Sequence, residues 1–474
     1  MNMAEVGKKQ VAIVGAGVFG LSLALALQKR GHRVTVFDRY RYDEAHYQPL
    51  SSDQQIAASV DHNKIFRASY GTKLHYQRLA LEARKAWESI DNARQDAAHK
   101  LFDPCGMLRV QPTDELSPLE RETLASMERE GLRDNQFVEG NREDCERAKN
   151  AGWDEKLLKF SIPDEPEGKS FEAVLDSLAG FTRCSDACAH FFTLAKNAGV
   201  EFEFGDAGAF ESLLHQDDDR TQRVIGLRTT DGTNHHADVV VIAAGSFSTQ
   251  VLPDLAYHME SSAGSIATFK IEESEQALWD KFSPEKFPVM TWKSASRDED
   301  GRDRGSVYVL PRTPDGLLKI GYRGVKFTNF QPAPENACFT QEGKWSIPLP
   351  AAECDVIPEK AATDIRHFVE VFLPEFRDVP FHSTKLCWYT DTLDNSFLID
   401  YVPTYADKSV FVCTGGSGHG AKFMPVLGEH AADILENGDA SATPMRPHWR
   451  WRDDVPRGNG LQEGPHGPRN IGKK

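Results

Sequence analysis

Hydrophobic and polar residues alternate with different periods along the chain, and the changes of period mark its parts. Gln10 to Val14 is a short, nearly unbroken apolar run, the pattern of a strand buried on both faces. Leu21 to Lys29 follows with helical spacing, and Arg33 to Phe37 is a second apolar run, so the first forty residues predict a compact βαβ unit. From 72 to 98, Leu74, Leu79, Leu81, Ala86, Trp87 and Ile90 recur near one face of a helix. Residues 113–160 are dense in charge and predict helices joined by loops. Val200 to Ile242 is strand-rich: Val224-Ile225-Gly226-Leu227, the turn Asp231-Gly232 and the run Ala237 to Ala243 predict a hairpin that returns to a last buried strand. Residues 256–384 change again, to short alternating runs (Gly264 to Glu272, Gly305 to Pro311, Leu317 to Tyr322) that predict an antiparallel sheet. Val410 to Cys413 reads as one more buried strand, followed by a glycine-rich turn and a helix from Met424 to Asn437. The segment from Pro444 is rich in Pro, Gly and Arg and predicts irregular structure.

Composition narrows the class of protein. With 40% hydrophobic and 27% charged residues among 474, the chain reads as globular and long enough for two or three core-bearing units. A formal charge of −16 argues against a general nucleic-acid or anionic-membrane surface. No stretch approaches the roughly 20 apolar residues that span a bilayer. The first apolar run leads straight into a glycine loop, so no signal peptide is expected. The end, Ile471-Gly472-Lys473-Lys474, is unlike a Ser-Lys-Leu peroxisomal address; a cytoplasmic protein is the expectation, and a monomer. None of the eight cysteines shows zinc spacing, so no metal is expected; Cys184 and Cys188 share a helix face.

The loop Gly15-Ala16-Gly17-Val18-Phe19-Gly20 lies between the first strand and its helix. Gly15 permits the tight turn, Gly17 the approach of a pyrophosphate, and Gly20 close packing of helix on strand. The helix beginning near Val18 offers N–H groups and a positive dipole end to phosphates. Asp38 ends the second strand, at the spacing expected of a carboxylate that binds ribose hydroxyls. Ala243-Ala244-Gly245-Ser246 closes another buried strand with residues small enough for a cofactor to approach. These residues predict dinucleotide binding without separating FAD from NAD.

Four further segments stand in order behind that loop: Asp61-His62-Asn63-Lys64-Ile65-Phe66-Arg67-Ala68-Ser69-Tyr70-Gly71; Leu318-Lys319-Ile320-Gly321-Tyr322-Arg323; Lys385-Leu386-Cys387-Trp388-Tyr389-Thr390, shortly before Asn395 to Asp400; and Gly416-Ser417-Gly418-His419-Gly420-Ala421-Lys422-Phe423. The ordered set resembles the FAD-dependent amine oxidases that include monomeric sarcosine oxidase and the fructosyl amino acid oxidases (amadoriases). In length the chain is similar to fungal amadoriase-like members. The resemblance implies a Rossmann-like FAD-binding domain built from discontinuous segments (1–90, 175–255 and 385–445). It also implies a substrate domain centred on an antiparallel sheet (91–174 and 256–384), with 446–474 an irregular tail. It makes Cys387 the covalent attachment site of the flavin and Lys64 a basic residue close to it. Arg67 and Lys422 match the pair that grips a substrate carboxylate, with Tyr70 on the substrate side. Tyr308 matches an active-site tyrosine and Lys319 the lysine that promotes reaction with oxygen. Gly418, His419 and Phe423 belong to a loop lying along the flavin.

The residues support the same chemistry physically. A carboxylate inside a cavity needs cationic, hydrogen-bonding partners, and arginine meets one with two parallel bonds. Arg67 lies among Ile65, Phe66 and Tyr70, an apolar and aromatic setting. Arg323 departs from the pattern, because amadoriases carry an acidic residue there and sarcosine oxidases a histidine. An arginine weakens a fructosyl-amine substrate and suits a second carboxylate or an aromatic ring. The expected reaction is oxidation of a secondary amine bearing a carboxylate to an imine, hydrolysed or trapped intramolecularly, with oxygen reduced to hydrogen peroxide. Alternatives are a fructosyl amino acid or saccharopine-type oxidase, and a flavin dehydrogenase with another acceptor.

Overall fold

The computed structural model describes residues 7–47, 56–94, 96, 99–160, 171–216, 222–293, 305–335 and 337–472. Residues 95, 97 and 98 of the expected 72–98 helix, and the terminal Lys473 and Lys474, lie outside them.

The valine- and isoleucine-rich runs assemble into a six-stranded sheet in the order Leu398–Tyr401, Val410–Thr414, Val239–Ile242, Gln10–Val14, Arg33–Asp38, Glu201–Phe204. All neighbours are parallel except the edge strand Leu398–Tyr401, which runs antiparallel to Val410–Thr414. Both faces are covered, which is why these strands are apolar throughout. Helices Val18–Lys29, Leu74–Arg94, Cys184–Asn197 and Met424–Asn437 contribute to one core with Val11, Ile13, Val34 and Val241. The other face, with Ala12, Val14, Val240 and Ile242, packs on Val224 and Leu227. Those two belong to a small antiparallel sheet of Phe210–His215, Val224–Thr229 and Asn234–His236. The expected hairpin therefore closes on Asn234–His236, and Val239–Ile242 leaves it to join the parallel sheet. The buried stripe of the helix Leu74–Arg94 is Tyr76, Gln77, Leu79, Ala80, Ala83 and Trp87.

A second sheet has eight strands, in the order Ser383–Thr392, Met259–Lys270, Leu317–Phe327, Ser306–Val309, Val289–Lys293, Met107–Val110, Ala173–Asp176, Gln136–Val138. It is mixed rather than purely antiparallel, because Val289–Lys293 runs parallel to Met107–Val110. Helix Glu359–Phe372 lays Ile365, Phe368 and Val369 on its core. In the charged stretch, helices Pro118–Arg129 and Arg142–Asn150 flank the strand Gln136–Val138. Among the described residues beyond Pro444 two short helical turns and a parallel bridge from Asn470 to Thr328 form, and the segment is anchored. Trp449 is buried, and Arg469 pairs at 2.9 Å with the buried Glu260 of the Met259–Lys270 strand. Among the described residues no helix is long and apolar enough to cross a membrane.

Candidate active site

A cavity of about 1360 Å³ is walled by residues of both sheets. At one end stands the glycine loop. Gly15 adopts φ +114°, and a Cβ on Gly20 would lie 1.9 Å from the Gly15 carbonyl oxygen, so strand and helix touch at a distance only glycine allows. The helix Val18–Lys29 starts at Gly17 with no side-chain cap, leaving its first N–H groups to a ligand. Asp38 lines the cavity at the tip of its strand, and its carboxylate accepts the Ala16 and Tyr40 N–H groups at 2.8 and 2.9 Å. Burial raises its pKa against those two bonds. Val18, Phe19 and Gly245 also line the cavity, whereas Gly20 is spent in packing. An uncapped helix start, a glycine cradle and a carboxylate on the next strand fit a dinucleotide.

Next along the wall comes Cys387, in the strand Ser383–Thr392. Lys64 Nζ donates to its Sγ at 3.4 Å and to Asp61 at 2.5 Å. Asp61 is also bonded through both oxygens to Lys319 Nζ, at 2.9 Å each, and Lys319 donates to the Asn63 carbonyl. Burial alone raises the Asp61 pKa, but Lys319 and then Lys64 overcome it and hold the carboxyl well below the usual range. For Lys64, burial opposes charge and Asp61 outweighs it, so the ammonium lies well above its ordinary value; for Lys319 burial wins and the shift is downward. Lys319 is buried behind Asp61 and, among the described residues, is not one that lines the cavity. Tyr308 faces the cavity from the adjacent strand, opposite Gly321, with its phenol pushed up to about 12 chiefly by burial.

The third group is cationic. Arg67 Nη1 donates to the Ser69 carbonyl and its guanidinium lies 4.6 Å from the Tyr70 ring centre. Lys422 Nζ donates to Tyr70 Oη at 2.9 Å, and Trp87 Nε1 fixes the Lys422 carbonyl at 2.8 Å. Arg323 Nη1 donates to the Gly418 carbonyl at 3.2 Å. Tyr70 Oη lies 3.2 Å from His419 Nδ1, and His419 Nε2 lies 2.9 Å from the Asn395 carbonyl. Phe423 is fully buried behind this group, packed on Tyr70 and His419. Burial, then Arg67 and Arg323, hold Lys422 well below its ordinary pKa; burial, then Lys422, does the same to His419.

The structure thus gathers Arg67, Tyr70, Arg323, Gly418, His419 and Lys422 around one part of the cavity, and Lys64, Tyr308 and Cys387 around another. Sequence reasoning passed over Asp61, which joins Lys64 to Lys319, although it stands three positions before Lys64 in a segment already singled out. It also missed Asn395, which fixes the His419 tautomer, and Tyr389, whose buried hydroxyl has no hydrogen-bond partner among the described residues.

Residues 10–434 match the family of FAD dependent oxidoreductases. The chain is similar to L-saccharopine oxidase of Schizosaccharomyces pombe, 28% identical over 456 residues that cover 94% of each protein. To monomeric sarcosine oxidase of a Bacillus species it is 23% identical, over 90% of the chain and 93% of that protein. Among solved structures it is similar to a modified fructosyl peptide oxidase from Aspergillus nidulans, with a TM-score of 0.78 and 25% identity over 99% of each chain.

Proposed function

Because the chain belongs to the FAD dependent oxidoreductase family, we propose that it is an oxidase of a secondary amine bearing a carboxylate, such as an N-methyl or N-alkyl amino acid. The observation that carries this reading is a buried lysine, Lys422, held beside Arg67 and Tyr70 in the same cavity as the glycine cradle. A buried ammonium next to a guanidinium is costly unless an anion joins it, and a substrate carboxylate is the anion that fits.

In this reading residues 1–90, 175–255 and 385–445 form a Rossmann-like FAD-binding domain, and residues 91–174 and 256–384 the substrate domain with its sheet. Gly15, Gly17, Val18, Phe19, Asp38 and Gly245 would hold the dinucleotide, and Lys64, Gly418 and His419 would hold its flavin end. Cys387 is the attachment point of the flavin. When bound, FAD supplies the acceptor for a hydride from the carbon beside the nitrogen and the route of electrons to oxygen. The protein's own groups do the rest. Arg67 and Lys422 anchor the carboxylate, Tyr70 keeps the lysine aimed, and Tyr308 walls the reacting end. Lys319 and Lys64 share the single carboxylate of Asp61, so the cluster keeps a net positive charge beside the cavity that favours reduction of oxygen. The imine product is hydrolysed or captured intramolecularly.

A second reading, a saccharopine-type amine with a second carboxylate, is favoured by Arg323 beside Gly418 and by the similarity to L-saccharopine oxidase. The first experiment is acid precipitation of the purified protein. Flavin is expected in the pellet, on the Cys387 peptide by mass, and in the supernatant for Cys387→Ala. A screen of N-alkyl amino acids should then release peroxide. Flavin in the wild-type supernatant, or no peroxide with any such amine, refutes the corresponding part of the proposal.

A further inference from the structure

An N-alkyl amino acid reaches neutral solution as a zwitterion, whereas oxidation needs the nitrogen lone pair and hence the neutral amine. The cavity contains a group placed to resolve this. Lys422 is 3% exposed. Its Nζ donates to Tyr70 Oη at 2.9 Å, and its other neighbours are the Tyr70 and Phe423 ring centres at 4.9 and 5.6 Å. Among the described residues it forms no ion pair. Among the described residues, the titratable groups that face it are Arg67 and Tyr70 from the segment after the strand Lys64–Phe66, Arg323 from the strand Leu317–Phe327, and His419 from its own glycine loop. Lys73, before the helix Leu74–Arg94, stands beyond His419. None of these is a carboxylate.

Hydrogen-bond polarity fixes the rest. A carbonyl has no proton to give, so His419 Nε2 donates to Asn395. The neutral ring then has no proton on Nδ1, which accepts from the Tyr70 hydroxyl. Tyr70 has spent its only proton, so its oxygen accepts from Lys422. The chain of bonds runs one way, from Lys422 to Tyr70 to His419 to Asn395. A neutral Lys422 would keep its lone pair out of that chain and available to the cavity.

We propose that Lys422 meets the substrate as a neutral amine and takes up the proton of its ammonium, so that binding itself produces both the neutral substrate nitrogen and the lysine cation that pairs with the carboxylate. One N–H bond breaks at the substrate and one forms at Lys422 Nζ, and no proton is exchanged with solvent. The two guanidiniums that disfavour charge on Lys422 in the empty site also disfavour the substrate ammonium, while the arriving carboxylate restores charge to the lysine at hydrogen-bond distance. This rests on the reading of the substrate as an amine with a carboxylate.

The test uses a ligand with the carboxylate but no titratable nitrogen, (methylthio)acetate, bound to the flavin-loaded protein. Calorimetric titration in two buffers of different ionisation heat at neutral pH reads the protons exchanged. The expected result is uptake of about one proton per site in the wild type and none in Lys422→Arg, which keeps a cation for the carboxylate and isolates the proton from the binding. Anaerobic flavin reduction of Lys422→Arg by an N-methyl amino acid should also shift its pH dependence upward by a unit or more, because only the free-base amine then binds productively. Binding without proton uptake in the wild type, or uptake that persists in Lys422→Arg, overturns the proposal and leaves the oxidase reading standing. Failure of any carboxylate to bind overturns both.

Discussion

At the scale of single residues the charge arrangement turns on Asp61, one carboxylate serving two ammoniums. Replacing it with asparagine leaves Lys64 and Lys319 facing each other without a counter-ion. Asp61→Asn should cost about 3 kcal/mol, the usual consequence of breaking a buried ion pair from one side. The sign with pH follows from the depressed carboxyl: its contribution is complete above the ordinary aspartate pKa and is lost as pH falls through the folded value. Denaturation midpoints of wild type and Asp61→Asn should therefore differ fully at neutral pH and converge below about pH 4; a constant difference would assign the loss to packing. Lys319→Met asks a different question. It should slow reoxidation by oxygen about a hundredfold or more while leaving reduction by substrate within a few-fold, and equal loss of both rates would favour the dehydrogenase alternative. Lys422 was legible in the sequence because a lysine in a glycine-rich, aromatic run makes a poor surface residue. The partnership of Asp61 with Lys319 was not, since 258 positions separate them and nothing local records the contact.

Among elements, the strand pair Ser306–Val309 and Leu317–Phe327 shows how the sheet shapes the cavity. Tyr308 pairs with Gly321, and a Cβ on Gly321 would lie 2.1 Å from the Tyr308 ring. The hydroxyl end of the tyrosine occupies the space a side chain at 321 would take, so its position depends on a missing side chain. Gly321→Ala should cost about 1–3 kcal/mol through forced repacking and shift the flavin absorption spectrum as the ring moves. An unperturbed spectrum would show that Tyr308 does not depend on that contact. Local pattern revealed Gln10–Val14, Arg33–Asp38 and Val410–Thr414 because strands buried on both faces are apolar at every position. It did not reveal that Val289–Lys293 pairs in parallel with Met107–Val110, or that Gln136–Val138 interrupts a charged helical stretch. Each is a short strand whose partner lies elsewhere in the chain. The segment after Pro444 read as irregular from its Pro and Gly content, and composition carried no sign that Arg469 would reach Glu260.

The whole molecule has two principal cores, one on the parallel sheet and one under the eight-stranded sheet, with the cavity walled from both. A ligand spanning that cavity couples the two. Cys387→Ala stripped of flavin should lose about 3 kcal/mol relative to the same variant loaded with excess free flavin, the linkage expected of a ligand held well above its dissociation constant. Its calorimetric transition should split where the loaded protein melts in one step. Identical melting with and without flavin would mean that the cofactor contributes nothing to holding the halves together.

The order of strands in the parallel sheet has a further consequence, in time rather than space. Gln10–Val14 sits between Val239–Ile242 and Arg33–Asp38, and Val410–Thr414 completes that side of the sheet. On a ribosome adding roughly 5–20 residues per second, the first strand would wait on the order of 10–45 s for Val239–Ile242, and that strand on the order of 10–35 s more for Val410–Thr414. Through most of that interval the nascent chain holds an apolar strand with an open edge and a phosphate cradle without its opposite wall. The parallel sheet, and with it the wall of the cavity that Thr414 and Gly416 form, is therefore complete only once Val410–Thr414 has been made.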